Sequence, residues 1–146
     1  MSENEELLRQ LPALDEAKPE VVEWLAANVE RVDFEPFDHI VNEGDHDRDC
    51  YLLVEGDVEV SKQDGRRDTD HAGGIMGELA LLYGSARSAT ATAVSPVTAL
   101  RLRATDFDAL ARTSPDLARA TAETIIEYLR FRFDFQPPGP WQPPTA

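Results

Sequence analysis

The chain has 146 residues, 42% of them apolar and 29% charged, with a formal net charge of −14. That length suits one domain around one core. No apolar run approaches the 18 or so residues of a helical membrane span, and the charge opposes duplex DNA or an anionic membrane as partner.

The start, MSENEELLRQ, lacks the basic-then-apolar order of a signal peptide, which places the protein in the cytoplasm. Residues 3–30 read as helix. Leu7, Leu8 and Leu11 share one side of a short first piece that Pro12 interrupts. Val21, Val22, Leu25, Ala26 and Val29 then recur at helical spacing, with the second helix starting at Asp15 or at Lys18-Pro19. The acidic excess lies wholly in residues 1–60, and residues 61–146 balance.

From Arg31 to Arg103 the texture is that of strands. His39-Ile40-Val41 leads into a turn signal at Asn42 to Asp45. Cys50 to Val54 and Val58 to Val60 are apolar runs that read as a hairpin about Glu55-Gly56-Asp57. Gln63-Asp64-Gly65 marks another turn, and two more strands flank Ser95-Pro96. Strands this short, with turns about every ten residues, predict a β-sandwich or barrel. Cys50 is the one cysteine, so no intrachain disulfide and no thiolate zinc cluster forms. Asp45-His46-Asp47-Arg48-Asp49 invites a calcium reading. The sixth and twelfth places of an EF-hand loop starting there hold Cys50 and Gly56 instead of glycine and glutamate, so it reads as a solvated acidic turn.

Helix returns at Thr105, read as an N-cap with Asp108 three residues on, and again at Ser114-Pro115. Ala118, Ala122, Ile126, Leu129 and Phe133 form the apolar stripe of the last helix, with Arg130–Asp134 as a surface pair at four-residue spacing. Residues 135–146 include QPPGPWQPPTA, which is neither helix nor central strand and reads as a flexible, polyproline-like tail. The domain is thus residues 1–134.

Residues 75–93, IMGELALLYGSARSATATA, carry the chemistry. Gly77 precedes a short helix, Glu78 to Tyr83, that Gly84 ends. Backbone N–H groups at such a helix start, with glycine allowing close approach, suit an anion. Arg87 offers a two-pronged donor for phosphate oxygens, and Glu78 an acceptor for a sugar hydroxyl. A ribose joined to a phosphate satisfies all three.

GELALLYGSARSATATA closely resembles the phosphate-binding cassette of cyclic nucleotide-binding domains, as in regulatory subunits of cAMP-dependent kinase, catabolite-activator-type regulators and gated channels. IVNEGDHDRDCYLLVEGDVEV resembles the family's hairpin with its Gly-Asp turns, and residues 100–132 its last strand and two C-terminal helices. The resemblance covers about residues 12–133. It implies an eight-stranded jelly-roll barrel, mainly β, with N-terminal helices and two C-terminal helices. It also implies that Glu78 accepts the ribose 2′-hydroxyl and Arg87 pairs with the cyclic phosphate. The backbone N–H groups of Leu79, Ala80 and Ser88 add donors, and Met76 and Ala89 pack near sugar or base. Thr124, Tyr128, Phe131 and Arg132 are its candidates for a lid over the base. Two places depart from the pattern: Met76 stands where many members carry an aromatic or other bulky residue, and Asp47 where a turn glycine is usual.

The expectation is therefore a regulatory sensor rather than an enzyme, with cAMP favoured over cGMP as ligand and no metal. It relays binding by movement of the last helix to a protein effector that the sequence does not identify. That helix is also a candidate homodimer surface. A ligand-free interaction module of the same fold, working through the last helix and the Pro-rich tail, is the alternative. A metal-dependent barrel enzyme lacks the histidine spacing it needs. The acidity does not prevent anion binding. The net charge ~20 Å away costs about 3 kcal/mol unscreened in water, and salt with a Debye length of about 8 Å cuts that to a few tenths.

Overall fold

Eight antiparallel strands pair in a nested order that defines the architecture. In the computed structural model, which describes residues 2–144, the strands are β1 (Glu30–Phe34), β2 (His39–Val41), β3 (Cys50–Glu55), β4 (Asp57–Ser61), β5 (Arg67–His71), β6 (Ile75–Met76), β7 (Thr90–Ala93) and β8 (Val97–Leu102). One sheet runs β1-β8-β3-β6 and the other β2-β7-β4-β5. First therefore pairs with last, second with seventh, third with sixth and fourth with fifth, which is the jelly-roll arrangement. It takes the form of two facing sheets.

The Gly56 turn corrects the sequence reading. It is not a hairpin, because β3 pairs with β6 and β8 while β4 pairs with β5 and β7. Gly56 is a corner where the chain changes sheet. Its φ is 97°, and a Cβ there would stand 2.3 Å from the Pro96 carbonyl oxygen. The second corner, Ser95-Pro96, stacks on the first. Asp57 N–H donates to Ser95 Oγ at 2.9 Å, and Val94 N–H to the Asp57 carbonyl at 3.0 Å. The true hairpin joins β4 to β5 through the Gln63-Asp64-Gly65 turn. β5, Arg-Asp-Thr-Asp-His, has no apolar residue, as befits an edge strand.

Five helices cover one sheet: α1 (Glu3–Arg9), α2 (Pro19–Asn28), α3 (Glu78–Tyr83), α4 (Ala104–Thr113) and α5 (Pro115–Phe133). β3 explains the layering. Its alternate residues Tyr51 and Leu53 join the core between the sheets, with Val58, Ala91 and Val97. Cys50 and Leu52 face the helical core, with Leu8, Leu25, Phe107 and Ile126. Hence the run Cys50 to Leu53 is buried on both faces. Among the described residues no helix is long and apolar enough to cross a membrane.

Two helix ends differ from the sequence reading. α4 is not capped by Thr105. Its first N–H, on Ala104, is taken by the Asp49 carboxylate at 2.9 Å, and Asp108 pairs with Arg48. A distant carboxylate thus displaces the local hydroxyl. Arg130 pairs with Glu127 rather than Asp134, whose backbone turns left-handed (φ 53°) and ends α5.

Candidate functional site

The β6–α3–β7 segment forms one wall of a cleft of about 460 Å³, a size typical of small-molecule sites. Gly77 makes the turn from strand to helix at φ 80°. It is required for space as well as conformation, since a Cβ there would lie 2.3 Å from Arg87 Nη1 and 2.8 Å from the Asp49 carbonyl oxygen. The first intrahelical bond of α3 is Leu81 N–H to the Gly77 carbonyl, 3.3 Å. The earlier N–H groups, of Glu78, Leu79 and Ala80, therefore have no partner within the helix.

Met76, Gly77, Glu78, Leu79, Ala80, Arg87, Ser88 and Ala89 all line the cleft. Tyr128 does not. Its hydroxyl accepts from Ile75 N–H at 3.2 Å, behind β6. None of the other lid candidates lines the cleft, although the partner of Arg132, Asp70, does. Thr124 donates to the Ala120 carbonyl, Phe131 is 93% exposed, and Arg132 lies 3.6 Å from Asp70. α5 presents Leu129 and Phe133 to the cleft instead, joined by Phe135 just beyond the helix. They continue the apolar stripe after Ile126: Leu129 stays in the helical core while bordering the cleft, and Phe133 is half exposed there.

Arg87 is held rather than free. It is 4% exposed. Nη1 donates to the Gly77 carbonyl at 3.2 Å, and Nη2 to the Asp49 carbonyl and to Asp47 Oδ2, both at 2.6 Å. Its Nε is buried with no hydrogen-bond partner among the described residues. The Asp45–Asp49 loop is therefore no mere solvated turn. Its backbone also pairs with Arg87, through Arg87 N–H to the Asp45 carbonyl and Gly44 N–H to the Arg87 carbonyl, each 2.8 Å. Arg48 reaches the far end of α3, donating to the Ala80 and Leu81 carbonyls at 2.9 and 2.6 Å while forking onto Asp108. The loop fixes both the arginine and the helix of the cassette. Nothing local in its sequence announces this, because its partners lie 32 to 60 residues away.

Glu78 stands beside Arg87 on the cleft wall. Burial is the largest influence on its carboxyl and pushes it up to about 7; the charge of Asp70 adds, while its own backbone N–H and Arg87 pull the other way. Asp70 is also raised, chiefly by burial, against the pull of Arg132. Among the described residues no group of His, Cys, Asp or Glu side chains is placed to hold a metal ion.

The cyclic nucleotide-binding domain family matches residues 31–114. With the jelly-roll pairing and a cassette wall of Glu78 and Arg87, the chain belongs to the cyclic nucleotide-binding domain family. It is similar to a cyclic nucleotide-gated potassium channel of Rhizobium etli, 36% identical over 60% of this chain and 24% of the channel. It is also similar to the cAMP-dependent protein kinase regulatory subunit of Colletotrichum orbiculare, 30% identical over 80% of this chain and 30% of the subunit. The solved N-terminal domain of a transcriptional regulator from Streptomyces coelicolor superposes with a TM-score of 0.67 at 28% identity, covering 88% of this chain and 93% of that one. The chain spans about a fifth to a third of the length of the curated relatives it matches.

Proposed function

We propose that this domain binds a cyclic mononucleotide, cAMP in preference to cGMP, as a regulatory sensor. The observation that carries the reading is Arg87: a buried guanidinium on the cleft wall whose Nε lacks a partner, lining the same cleft as Leu79 and Ala80 at the start of α3, whose N–H groups have no partner within the helix. A cyclic phosphate takes the Nε–H and the N–H groups of Leu79 and Ala80, and competes with the half-exposed Asp47 carboxylate for Nη2. Glu78 accepts the ribose 2′-hydroxyl, and Ser88 N–H supplies a further donor. Met76 and Ala89 pack on sugar and base, closed over by Leu129, Phe133 and Phe135 rather than Tyr128. The similarity to a cAMP-dependent kinase regulatory subunit supports the preference for cAMP.

The output is movement of α5. Ligand in the cleft favours whichever position of Leu129 and Phe133 covers the base, and the shift is bounded by the ligand's differential affinity for the two positions. Calorimetric titration with cAMP and cGMP tests binding. Heat with cAMP that Arg87→Ala abolishes supports the sensor, whereas no heat with either nucleotide supports a ligand-free interaction module acting through α5 and the tail. Amide exchange tests the relay: equal exchange of residues 115–133 with and without bound nucleotide would sink it.

A further inference from the structure

The Pro-rich tail does not trail free along its described part. Asp134 turns the backbone left-handed, and Phe135 packs on Tyr83 (ring centroids 6.0 Å apart) at the cleft. Six residues later Trp141 is 2% exposed. Its ring lies 5.4 Å from Phe107 of α4, and its Nε1–H donates to the Leu82 carbonyl of α3 at 3.0 Å. Pro144 comes to within 3.4 Å of where a Cβ on Gly84 would stand, against the cap of α3.

The last carbonyls of a helix have no partner within it. In α3, side chains from elsewhere in the chain reach three of them. Ala80 O receives Gly84 N–H and Arg48 Nε, Leu81 O receives Arg48 Nη2, and Leu82 O receives Trp141. A helix of six residues has no stability of its own, so these contacts set where it sits. Its other end carries Glu78, Leu79 and Ala80 to the cleft. So short a rigid element does not shift at one end and stay fixed at the other.

We propose that the groove between α3 and α4 is a second binding site, occupied in cis by the Trp141 segment, and that its occupation and nucleotide binding in the cleft strengthen each other. This rests on the reading of the cleft as a nucleotide site. The groove's chemistry suits an indole: an aromatic wall from Phe107 and one orphan carbonyl for one N–H. The flanking prolines, PPGPWQPP, restrict the undocked tail and so reduce the entropy lost on docking. Coupling between two sites is reciprocal, so nucleotide tightens the tail by the factor by which the tail tightens nucleotide.

Trp24 and Trp141 are the two tryptophans, so the full chain with Trp24→Phe reports on the tail alone. The expected result is that saturating cAMP lowers acrylamide quenching of Trp141. In the otherwise unchanged full chain, Trp141→Ala weakens cAMP binding about 5-fold or more, within the usual span of coupling. Trp141→Phe, which keeps a ring and loses the N–H, weakens it less. Quenching that does not change with cAMP bound overturns the coupling, as does Trp141→Ala binding cAMP as well as or better than the unaltered chain. If Trp141→Ala does not fold, the quenching result with Trp24→Phe decides alone. Failure of the unaltered chain to bind either nucleotide overturns the cleft reading and the coupling with it. Normal binding with an unresponsive Trp141 overturns only the coupling.

Discussion

Glu78 gives the ligand-free protein a pH dependence opposite in sign to that of a salt-bridged carboxylate. Its carboxyl titrates at about 7 in the folded chain against 4.5 when unperturbed, chiefly because it is buried. Between those values the folded state holds a proton that the unfolded state has released, so stability is full below pH 4.5 and is lost as pH rises toward 7. At about 1.4 kcal/mol per pH unit the displacement amounts to about 3 kcal/mol. The carboxyl opens partly onto the cleft, and water there reduces the figure to about 2 kcal/mol. Glu78→Gln keeps the shape and removes the charge. Urea denaturation at a series of pH values should show the variant gaining on the unaltered protein as pH rises, with a difference about 2 kcal/mol larger at pH 8 than at pH 4. Asp70, raised in both proteins, largely cancels. The same substitution should weaken nucleotide binding, because a charged acceptor for the ribose is lost. A stability difference that is flat across pH would mean that the Glu78 carboxyl is not raised by burial.

Gly77→Ala should cost about 1–2 kcal/mol for a left-handed alanine and also displace Arg87, so both the denaturation midpoint and the nucleotide affinity fall. Gly56→Ala is the contrast. It meets the Pro96 carbonyl at the far corner and should lower the midpoint with little effect on affinity. Arg48→Met strips two carbonyls of α3 and its fork onto Asp108. Since both partners are partly exposed, the expected loss is about 2 kcal/mol, read by thermal melting, together with weaker nucleotide binding.

The cassette was legible because its chemistry lies in one run of chain: Gly77, Glu78, Arg87 and the short helix between them are neighbours in sequence as well as space. The helical stripes and most strands were legible for the same reason, since their periodicity is local. What escaped depends on contacts across the fold. Asp47, Arg48 and Asp49 look like surface charge until Arg87, Asp108 and Ala104 are brought to them. The Glu55-Gly56-Asp57 turn has hairpin composition, yet its strands belong to different sheets, which only the pairing of β3 with β8 and β4 with β7 decides. β5 has no apolar pattern to read because it is an edge. In α5 the residues that border the cleft are Leu129 and Phe133 of the apolar stripe, Leu129 being part of the helical core as well, and helical periodicity alone does not tell which turns of a stripe also meet a cleft. The tail's prolines correctly excluded helix, but the burial of Trp141 needed the Leu82 carbonyl and the Phe107 ring already in place.

If Arg87 holds the phosphate of a cyclic nucleotide, its Nε–H proton reports on this directly. In a nitrogen-15-labelled sample the Arg87 Nε–H resonance, assigned by its loss in Arg87→Lys, should move downfield on addition of cAMP as the unpartnered donor gains a charged acceptor. A bound nucleotide that leaves this resonance where it stands would mean that Arg87 does not hold its phosphate.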